Sequence, residues 1–327
     1  MIHITRGLGV YWTSPSQAQI GIDPRIGVRL TNLTKDELRL IDRLTSAHTI
    51  TEYLEAARSL NITPTRAQEI SALLETAGVL SSDLDHIPDA EPHWRIFHTT
   101  PTVREQCVVT IPALDQLGFE VARELVAAGV GTVVTGDRRI VGEQDHPDLA
   151  RDFLGVPRAD AFISIARDLN PRVRLNTQEP PHLVILTSHH GINPYATRDL
   201  LARGIPTLHA WVEEIDLFVG PLTVPHVTPC PTCLHLQRVD RQPDWELIAP
   251  QALSAKEIVP PISSLKIASA LCAADALAFC DAVQPATATH LWKIPPAPAL
   301  PERIELDFHP NCGCRDDQFF PTQSSPR

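Results

Sequence analysis

The sequence predicts an α/β protein with a mainly parallel, doubly wound sheet, a small α+β module in front of it, and a structural zinc site that closes it. Strand and helix patterns alternate from residue 107 onward, which is typical of a parallel sheet. Short apolar runs followed by three helix patterns fill residues 1–84. Two close cysteine pairs lie further along the chain and could supply four thiolates to one metal ion.

Composition indicates a globular protein of about two domains. The chain has 327 residues, of which 43% are hydrophobic and 20% are charged. The formal net charge of −11 argues against nucleic acid as a partner, because phosphate backbones are bound by basic surfaces. We find no signal-peptide pattern and no run of about 20 uncharged apolar residues. We therefore expect no membrane span and a cytoplasmic protein with reduced thiols.

The N-terminal module, residues 1–84, is predicted to be winged-helix-like. Apolar runs at 8–13, 19–22 and 27–30 are separated by turn residues, which predicts a small antiparallel sheet. Three helix patterns follow, and Thr34 with Glu37 forms a capping box at the start of the first. The other boundary signals are Thr49 or Thr51 at the start of the second helix, Thr63-Pro64 at the start of the third, and Gly78 at its end.

A winged-helix-like module raises the hypothesis of DNA binding. Its charges argue against that function, because the module has no excess of basic residues. In the third helix Arg66 is set against Glu69 and Glu75, where a groove-reading helix would present a basic stripe. A purely architectural role is a further interpretation of the module.

Residues 105–315 are predicted to form a Rossmann-like domain. Asp137 stands just past the second predicted strand, where a nucleotide-binding βαβ unit carries an acid for a ribose hydroxyl. A helix cap or a turn is the alternative role for this side chain. The predicted strands are 107–111, 132–135, 183–187 and 207–211, and the predicted helices are 117–128, 158–169, 194–203 and 265–283.

Two further segments complete the predicted domain organisation. Residues 85–104 are polar and contain prolines, so we expect a linker with a short strand near 94–97. We expect residues 316–327 to be a disordered tail.

The cysteine pairs are Cys230 with Cys233 and Cys312 with Cys314. Four thiolates make the closed tetrahedral shell of a structural Zn²⁺, with no position left for a catalytic water. Such a zinc would tie the C-terminal region to the body of the protein. The alternatives are two disulfides or four unrelated thiols, but close cysteine pairs in a cytosolic protein are typical of metal sites.

Several segments, taken in order, resemble ThiF/MoeB-type adenylating proteins, which are relatives of the ubiquitin-activating enzymes. The resemblance implies a Rossmann-like domain of ThiF type, and such domains are commonly two-fold homodimers. Residues 233–245 also resemble the ThiF-like subgroup that accompanies cyclodehydratases making azoline-bearing peptides. The segments that carry the resemblance are 127–137, 155–158, 170–173, 203–206, 220–225, 230–233 and 309–314.

The apolar positions of residues 1–84 are similar to those of PqqD-type peptide-recognition elements. These elements bind the leader segment of a precursor peptide as an added strand, beside their third strand and against their third helix. The resemblance implies that strand 27–30 is an exposed edge and that the helix at 64–77 completes a groove. The peptide-binding residues it implies are Val28, Arg29, Leu30, Arg66, Ile70 and Leu74.

The adenylating pattern is incomplete in this chain. An ATP site of this type needs a glycine-rich first loop, because glycine lets backbone amides approach the phosphates closely. Here Pro112 lacks an amide donor and Asp115 adds negative charge. The family's metal-binding aspartate is replaced by the Ser-His-His of 188–190. The nucleotide-binding residues that the resemblance still implies are Gly118, Asp137 and Arg158, with arginine in place of the family's lysine.

We therefore expect weak or absent binding of ATP and Mg²⁺, and the chain's status as an enzyme stays open. The favoured hypothesis is a scaffold that captures a precursor peptide and presents it to a modifying enzyme such as a YcaO-type cyclodehydratase. One alternative is an adenylyltransferase that activates the C-terminal carboxylate of a peptide or ubiquitin-like protein. Another is a regulatory module that binds DNA or protein.

Overall fold

The computed structural model describes residues 1–82, 89–97 and 99–315. The chain divides into two compact units, Met1–Thr102 and Val103–Arg327. Part of the predicted linker and the whole predicted tail at 316–327 lie outside the described residues.

The first unit contains two small antiparallel sheets. One follows the strand order β2-β3-β4, and the other pairs β1 with β5. The three-stranded sheet matches the predicted strands with small shifts, whereas the pair formed by the two ends of the module was not foreseen. The strands are β1 (Ile2–Ile4), β2 (Val10–Ser14), β3 (Gln17–Ile20), β4 (Val28–Leu30) and β5 (Leu80–Ser82).

The helices of the first unit begin where the capping residues predict. Thr34 and Glu37 form the predicted capping box of α1, and Thr49 forms a second one with Glu52 at the start of α2. A fourth helix occupies the stretch in which we expected a linker with a short strand near 94–97, so that strand prediction is wrong. The helices are α1 (Lys35–Arg43), α2 (Ile50–Ser59), α3 (Pro64–Thr76) and α4 (Ala90–Phe97).

The second unit is built on a seven-stranded sheet in the order β12-β11-β10-β9-β8-β6-β7. Strands β7, β6, β8 and β9 are parallel neighbours, and β10, β11 and β12 are added antiparallel. Because β11 is antiparallel to β10, which is itself antiparallel to β9, β11 runs in the same direction as the four parallel strands. Five strands of the sheet therefore share one direction. Their bounds are β6 (Val108–Thr110), β7 (Thr132–Val134), β8 (Leu183–His189), β9 (Thr207–Glu213), β10 (Asp216–Thr223), β11 (His290–Ile294) and β12 (Glu302–Glu305).

Helices pack on this sheet as expected for an α/β architecture. The structure confirms α7 at the predicted bounds and α5 within one residue of them. The sequence did not predict α9 and α10. The helices are α5 (Gln116–Ala127), α6 (Pro147–Asp152), α7 (Arg158–Leu169), α8 (Arg198–Ala202), α9 (Pro231–Arg241), α10 (Trp245–Ala252) and α11 (Ile262–Cys280).

Helix α11 is long and apolar enough, by length and composition alone, to cross a membrane. The prediction from the sequence considered only uncharged apolar runs, and α11 contains Lys266 and Asp275. Leu265 and Cys272 on α11 are buried in the main core of the second unit. Asp275 is also buried and accepts hydrogen bonds from the backbone amides of Ala286 and Thr287 at 3.0 and 2.8 Å. These contacts are those of a core helix.

Candidate functional sites

Strand β4 is an edge of the three-stranded sheet in the first unit. It pairs with β3, with Val28 opposite Ile20 and Leu30 opposite Ala18. No strand of the described chain pairs with its other side. An unpaired edge presents a row of backbone amide and carbonyl groups that can pair with another chain. The sequence prediction of a free edge at this position therefore agrees with the geometry.

The predicted peptide-binding residues form two groups around this edge. Val28 and Leu30 are half-buried and pack against the core that contains Ile70 and Leu74, which are both buried. Arg29 lies between them and is exposed, so it is on the opposite face of the strand.

Arg66 is less available to a ligand than the sequence implied. Its guanidinium donates to Glu37 at 2.6 Å and to Glu69 at 3.0 Å. Burial alone would raise the pKa of Glu37, but the Thr34 amide and the Arg66 guanidinium lower it. Arg66 therefore links the start of α3 to the capping box of α1, while Arg29 has no ion-pair partner among the described residues.

In the region where the resemblance implies a nucleotide site, Asp115 is the N-cap residue of α5. Its carboxylate accepts from the Gly118 amide at 2.9 Å and from the Thr187 hydroxyl at 2.7 Å, and Nε2 of His189 is 3.7 Å away. Burial alone would raise the pKa of Asp115, but His189, the Gly118 amide and Thr187 together lower it. The helix end that would meet a phosphate is thus capped by the chain's own negative charge.

Gly118 is retained for packing. A Cβ atom at this position would collide with the carbonyl group of Ala113. The glycine therefore lets the loop before α5 pass close to the first turn of the helix. This close approach explains why position 118 is a glycine, and the explanation requires no bound nucleotide.

Asp137 also has its oxygen atoms occupied. It accepts from the Leu114 amide at 2.7 Å and from two nitrogens of the Arg139 guanidinium at 2.7 and 2.9 Å. Burial would raise its pKa, but the Arg139 side chain and the backbone amides of Leu114 and Arg139 lower the pKa of Asp137 to about 2. The carboxylate is therefore ionised at neutral pH and already paired, so that a ribose hydroxyl would have to displace an existing partner.

Arg158 is buried and joins two carboxylates. Its Nη2 lies 2.5 Å from Asp145 and its Nε donates to the same side chain at 3.1 Å, while Nη1 lies 3.5 Å from Asp137. The structure thus brings Arg158 and Asp137 together, and their role in nucleotide binding stays a prediction. Asp145 was missed, because no local pattern marks it as the arginine's partner.

A cavity of about 300 Å³ lies beside these residues. Its charged lining consists of one arginine, Arg158, and four acids, Asp115, Glu143, Asp145 and Glu257. A nucleoside triphosphate would bring more negative charge into this acidic cavity, in which Arg158 is already paired with carboxylates. Mg²⁺ binding alone would ease this repulsion only in part.

The two histidines that follow Ser188 are bonded to the segment before α11. His189 lies within β8, and its Nδ1 accepts from the Ile258 amide at 3.1 Å. Nε2 of His190 is 2.8 Å from the Lys256 carbonyl oxygen. The sequence identified no acidic partner for either residue, whereas the fold places Asp115 beside His189.

The four cysteines of the second unit converge. The sulfur atoms of Cys230 and Cys312 are 3.6 Å apart, those of Cys233 and Cys314 are 3.4 Å apart, and all four lie within 4.8 Å of one another. A disulfide requires about 2.05 Å, so these are free thiols. Zn–S bonds of about 2.3 Å in a tetrahedron place sulfurs about 3.8 Å apart. The cluster could therefore hold a metal ion of this kind.

Local structure explains how the pairs meet. Cys230 is the residue before α9 and Cys233 lies in its first turn, while Cys312 and Cys314 lie in or beside a short 3-10 turn. His309 also contacts α9, with Nε2 at 2.9 Å from Asp240. The segment that follows β12 is thus fastened to α9 by side chains besides the cysteines.

Comparisons with known proteins support this architecture at the level of the fold. No family profile matches the sequence, and no curated protein matches it. Among solved structures, E. coli MccB with AMPCPP and MccA superposes with a TM-score of 0.65 at 15% identity, covering 96% of this chain and 99% of that chain. E. coli MccB with ATP gives 0.63 at 15% identity, with the same coverage. PaaA gives 0.62 at 13% identity, covering 92% of this chain and 99% of that chain.

These similarities extend over nearly the whole length of both chains. They support the ThiF/MoeB-like fold that the sequence resemblance implied. At 13–15% identity they show the fold alone, and the PqqD-like assignment of the first unit stays a prediction. The geometry and the comparisons therefore show an α/β protein with a ThiF/MoeB-like fold and a four-cysteine cluster.

Proposed function

We propose that this protein is a peptide-binding scaffold, which captures an extended segment of a precursor peptide along β4 and presents it to a peptide-modifying enzyme. The observation that carries the proposal is the unpaired edge of β4, whose Val28 and Leu30 pack against the core of the first unit. A YcaO-type cyclodehydratase is the proposed partner, from the resemblance of residues 233–245. MccB, which shares the fold, has been crystallised with MccA, and this supports a binding role.

The backbone and side-chain groups along the unpaired edge of β4 determine which peptides it would bind. Main-chain hydrogen bonds to β4 would supply affinity without regard to sequence, and side-chain contacts would supply selectivity. Val28 and Leu30 offer partly exposed apolar surface to one face of an added strand. Arg29, on the other face, would favour an acidic residue in the peptide.

We further propose that the scaffold does not adenylate. Phosphate would have to enter the cavity beside Arg158 against four carboxylates, and α5 is already capped by Asp115. The second candidate function is an adenylyltransferase acting on a peptide carboxylate. The fold shared with MccB, which has been crystallised with ATP, and the presence of a cavity at this place favour that candidate.

The cysteine cluster completes the proposal as a structural Zn²⁺ site. Four thiolates suit zinc and leave no position for a catalytic water. Cys230, Cys233, Cys312 and Cys314 would hold the ion. Cytoplasmic location would keep these thiols reduced, and a homodimer is proposed from the fold resemblance.

Peptide capture can be tested by fluorescence anisotropy with the small peptides encoded beside this chain's gene. Amides of successive residues in a strand face opposite sides, so Val28→Pro and Arg29→Pro each remove a donor from a different side of β4. The variant whose amide faces away from β3 should stay folded and weaken binding about 2- to 12-fold, the equivalent of one net hydrogen bond.

Arg29→Glu tests the charge of the groove, and Arg43→Glu is its matched control on an exposed position of α1. Binding of an acidic peptide should fall about two- to ten-fold in Arg29→Glu and stay unchanged in Arg43→Glu. Equal binding by all four variants would show that β4 is not the peptide site. Pyrophosphate exchange dependent on a peptide acid would instead establish the adenylyltransferase.

A further inference from the structure

A second cavity lies in the second unit, between the antiparallel half of the sheet and the helices α9 and α10. Its volume is about 290 Å³. It is distinct from the cavity beside Arg158, since the two share no lining residue. We call it the aromatic pocket, and its residues play no part in the proposed peptide edge or in the cysteine cluster's sulfur shell.

The floor of the aromatic pocket is apolar. Trp211 on β9 and Phe218 on β10 are opposite each other in register, and their rings stack with centroids 4.7 Å apart and planes 8° apart. Leu291 on β11 and Ile304 on β12 extend the floor to the edge of the sheet. Because Trp211 and Phe218 stack on each other, an aromatic ligand would pack beside this pair and bury apolar surface against it.

The roof is provided by Trp245 and Arg238. The Arg238 guanidinium lies over the Trp245 ring at 3.4 Å from its centroid. The same guanidinium donates to both oxygens of Glu213 at 2.5 and 3.1 Å, and the Trp211 indole donates to Glu213 at 3.2 Å. Glu213 is the only acid among the described lining residues, and its charge is neutralised.

The polar rim presents donors. His235, Arg241 and Gln242 line the pocket. Nε of Arg241 donates to the Gln237 carbonyl oxygen at 3.0 Å, and its terminal nitrogens have no partner in the described part of the chain.

We propose that the aromatic pocket binds a planar aromatic group that carries a carboxylate. The ring would pack in the apolar part of the pocket, against Phe218, Leu291 and Ile304. The carboxylate would meet the Arg241 guanidinium at the rim. An aromatic ammonium compound would find no free carboxylate there. The group could belong to a free aromatic acid or to an aromatic residue beside an acidic one in a peptide.

The proposal can be tested by calorimetric titration of the full-length protein with 2-naphthylacetate, the neutral 2-naphthylacetamide and the peptide acetyl-Trp-Asp-amide. From the affinity per atom typical of small ligands, we expect the acid to bind with a Kd on the order of 1 mM or below. The acid should bind more tightly than the amide. Tighter binding of the peptide than of the free acid would identify a peptide source, and the reverse order a free acid.

Two pairs of variants locate the binding. Ile304→Trp fills the pocket and should abolish binding, while Arg303→Trp adds the same bulk on the opposite face of β12 and should not. Arg241→Gln should remove the preference for acid over amide, a loss of about two- to five-fold for the acid. Arg203→Gln, an exposed arginine outside the pocket, should leave the preference unchanged.

Some outcomes would contradict the proposal. No binding of the acid at 10-fold above the expected Kd, or equal binding by Ile304→Trp and Arg303→Trp, would show that the pocket takes no such ligand. If Ile304→Trp fails to fold by circular dichroism, the Arg241→Gln comparison decides. An unchanged preference in Arg241→Gln would then overturn the assignment of the carboxylate to the rim.

Discussion

The buried carboxylate of Glu120 provides a prediction whose size follows from the structure. Glu120 on α5 is fully buried, its Oε1 lies 2.5 Å from Nε2 of His146, and the Lys266 ammonium on α11 contacts the same oxygen. Burial alone would raise the pKa of Glu120, but His146 and Lys266 outweigh burial and lower it from 4.5 to about 2. The ionised form is therefore stabilised in the folded state.

The lowered pKa of Glu120 means that its ionised carboxylate stabilises the folded state. Each pKa unit is worth about 1.4 kcal/mol, so the ionised Glu120 contributes about 3 kcal/mol to the free energy of unfolding at neutral pH. Because the folded pKa is the lower one, the contribution is complete above pH 4.5 and is lost as pH falls from 4.5 toward 2. Glu120→Gln should therefore lower the free energy of unfolding by about 3 kcal/mol at pH 7.

Urea denaturation of the wild type and of Glu120→Gln between pH 7 and pH 3 measures this difference. It should shrink as pH falls below 4.5, because the wild-type carboxyl group becomes protonated. Glu124, one turn along α5, is the matched control. Burial raises the pKa of Glu124, although Ser269 donates to it at 2.8 Å.

The two variants should differ in the sign of their pH dependence. A raised pKa disfavours the ionised form in the folded state, so wild type should gain stability relative to Glu124→Gln as pH falls through the raised pKa of Glu124. For Glu120→Gln, the wild type's higher free energy of unfolding should instead shrink toward that of the variant as pH falls from 4.5 toward 2. A pH-independent difference for Glu120→Gln would refute the reasoning, since it would mean that packing and not charge accounts for the loss.

Three further predictions concern the metal cluster, the nucleotide and the first unit's core. Elemental analysis should find about one zinc per chain, and Cys312→Ser should reduce that content while the buried core variant Cys272→Ser keeps it. Calorimetry with Mg-ATP should give no saturable heat, because the cavity beside Arg158 is acidic; tight binding would favour the adenylyltransferase. Tyr53→Phe should lower the free energy of unfolding by about 1–3 kcal/mol, measured in urea, because the hydroxyl donates to the buried Ala67 carbonyl at 3.0 Å; an unchanged midpoint would contradict this.

Local features of the chain were predictable from the sequence. Thr34 with Glu37 places the start of α1, and Thr49 places the start of α2, because a capping box depends only on residues within one helical turn. The four strands near the nucleotide region follow from short apolar runs. The cysteine pairs were recognised because two close thiolate pairs can form one tetrahedral shell.

Features that depend on distant partners were not predictable in this way. The antiparallel strands β10 to β12 extend the sheet and create the floor of the aromatic pocket, yet their sequences have no alternation that distinguishes them from loops. Trp245 and Glu213 belong to one pocket only because Arg238 on α9 contacts both of them. The predicted linker contains a helix instead of a strand.

The charged side chains show the same division. From the sequence, Asp115 and Pro112 indicated an obstructed phosphate loop, and Arg158 and Asp137 indicated a remnant of a nucleotide site. Only the fold shows that Asp137 is paired with Arg139 and Arg158 with Asp145. Helix starts and strand patterns arise from interactions between near neighbours in the chain, whereas the pairing of a buried charge depends on which elements the core packs together, 146 residues apart in the case of Glu120 and Lys266.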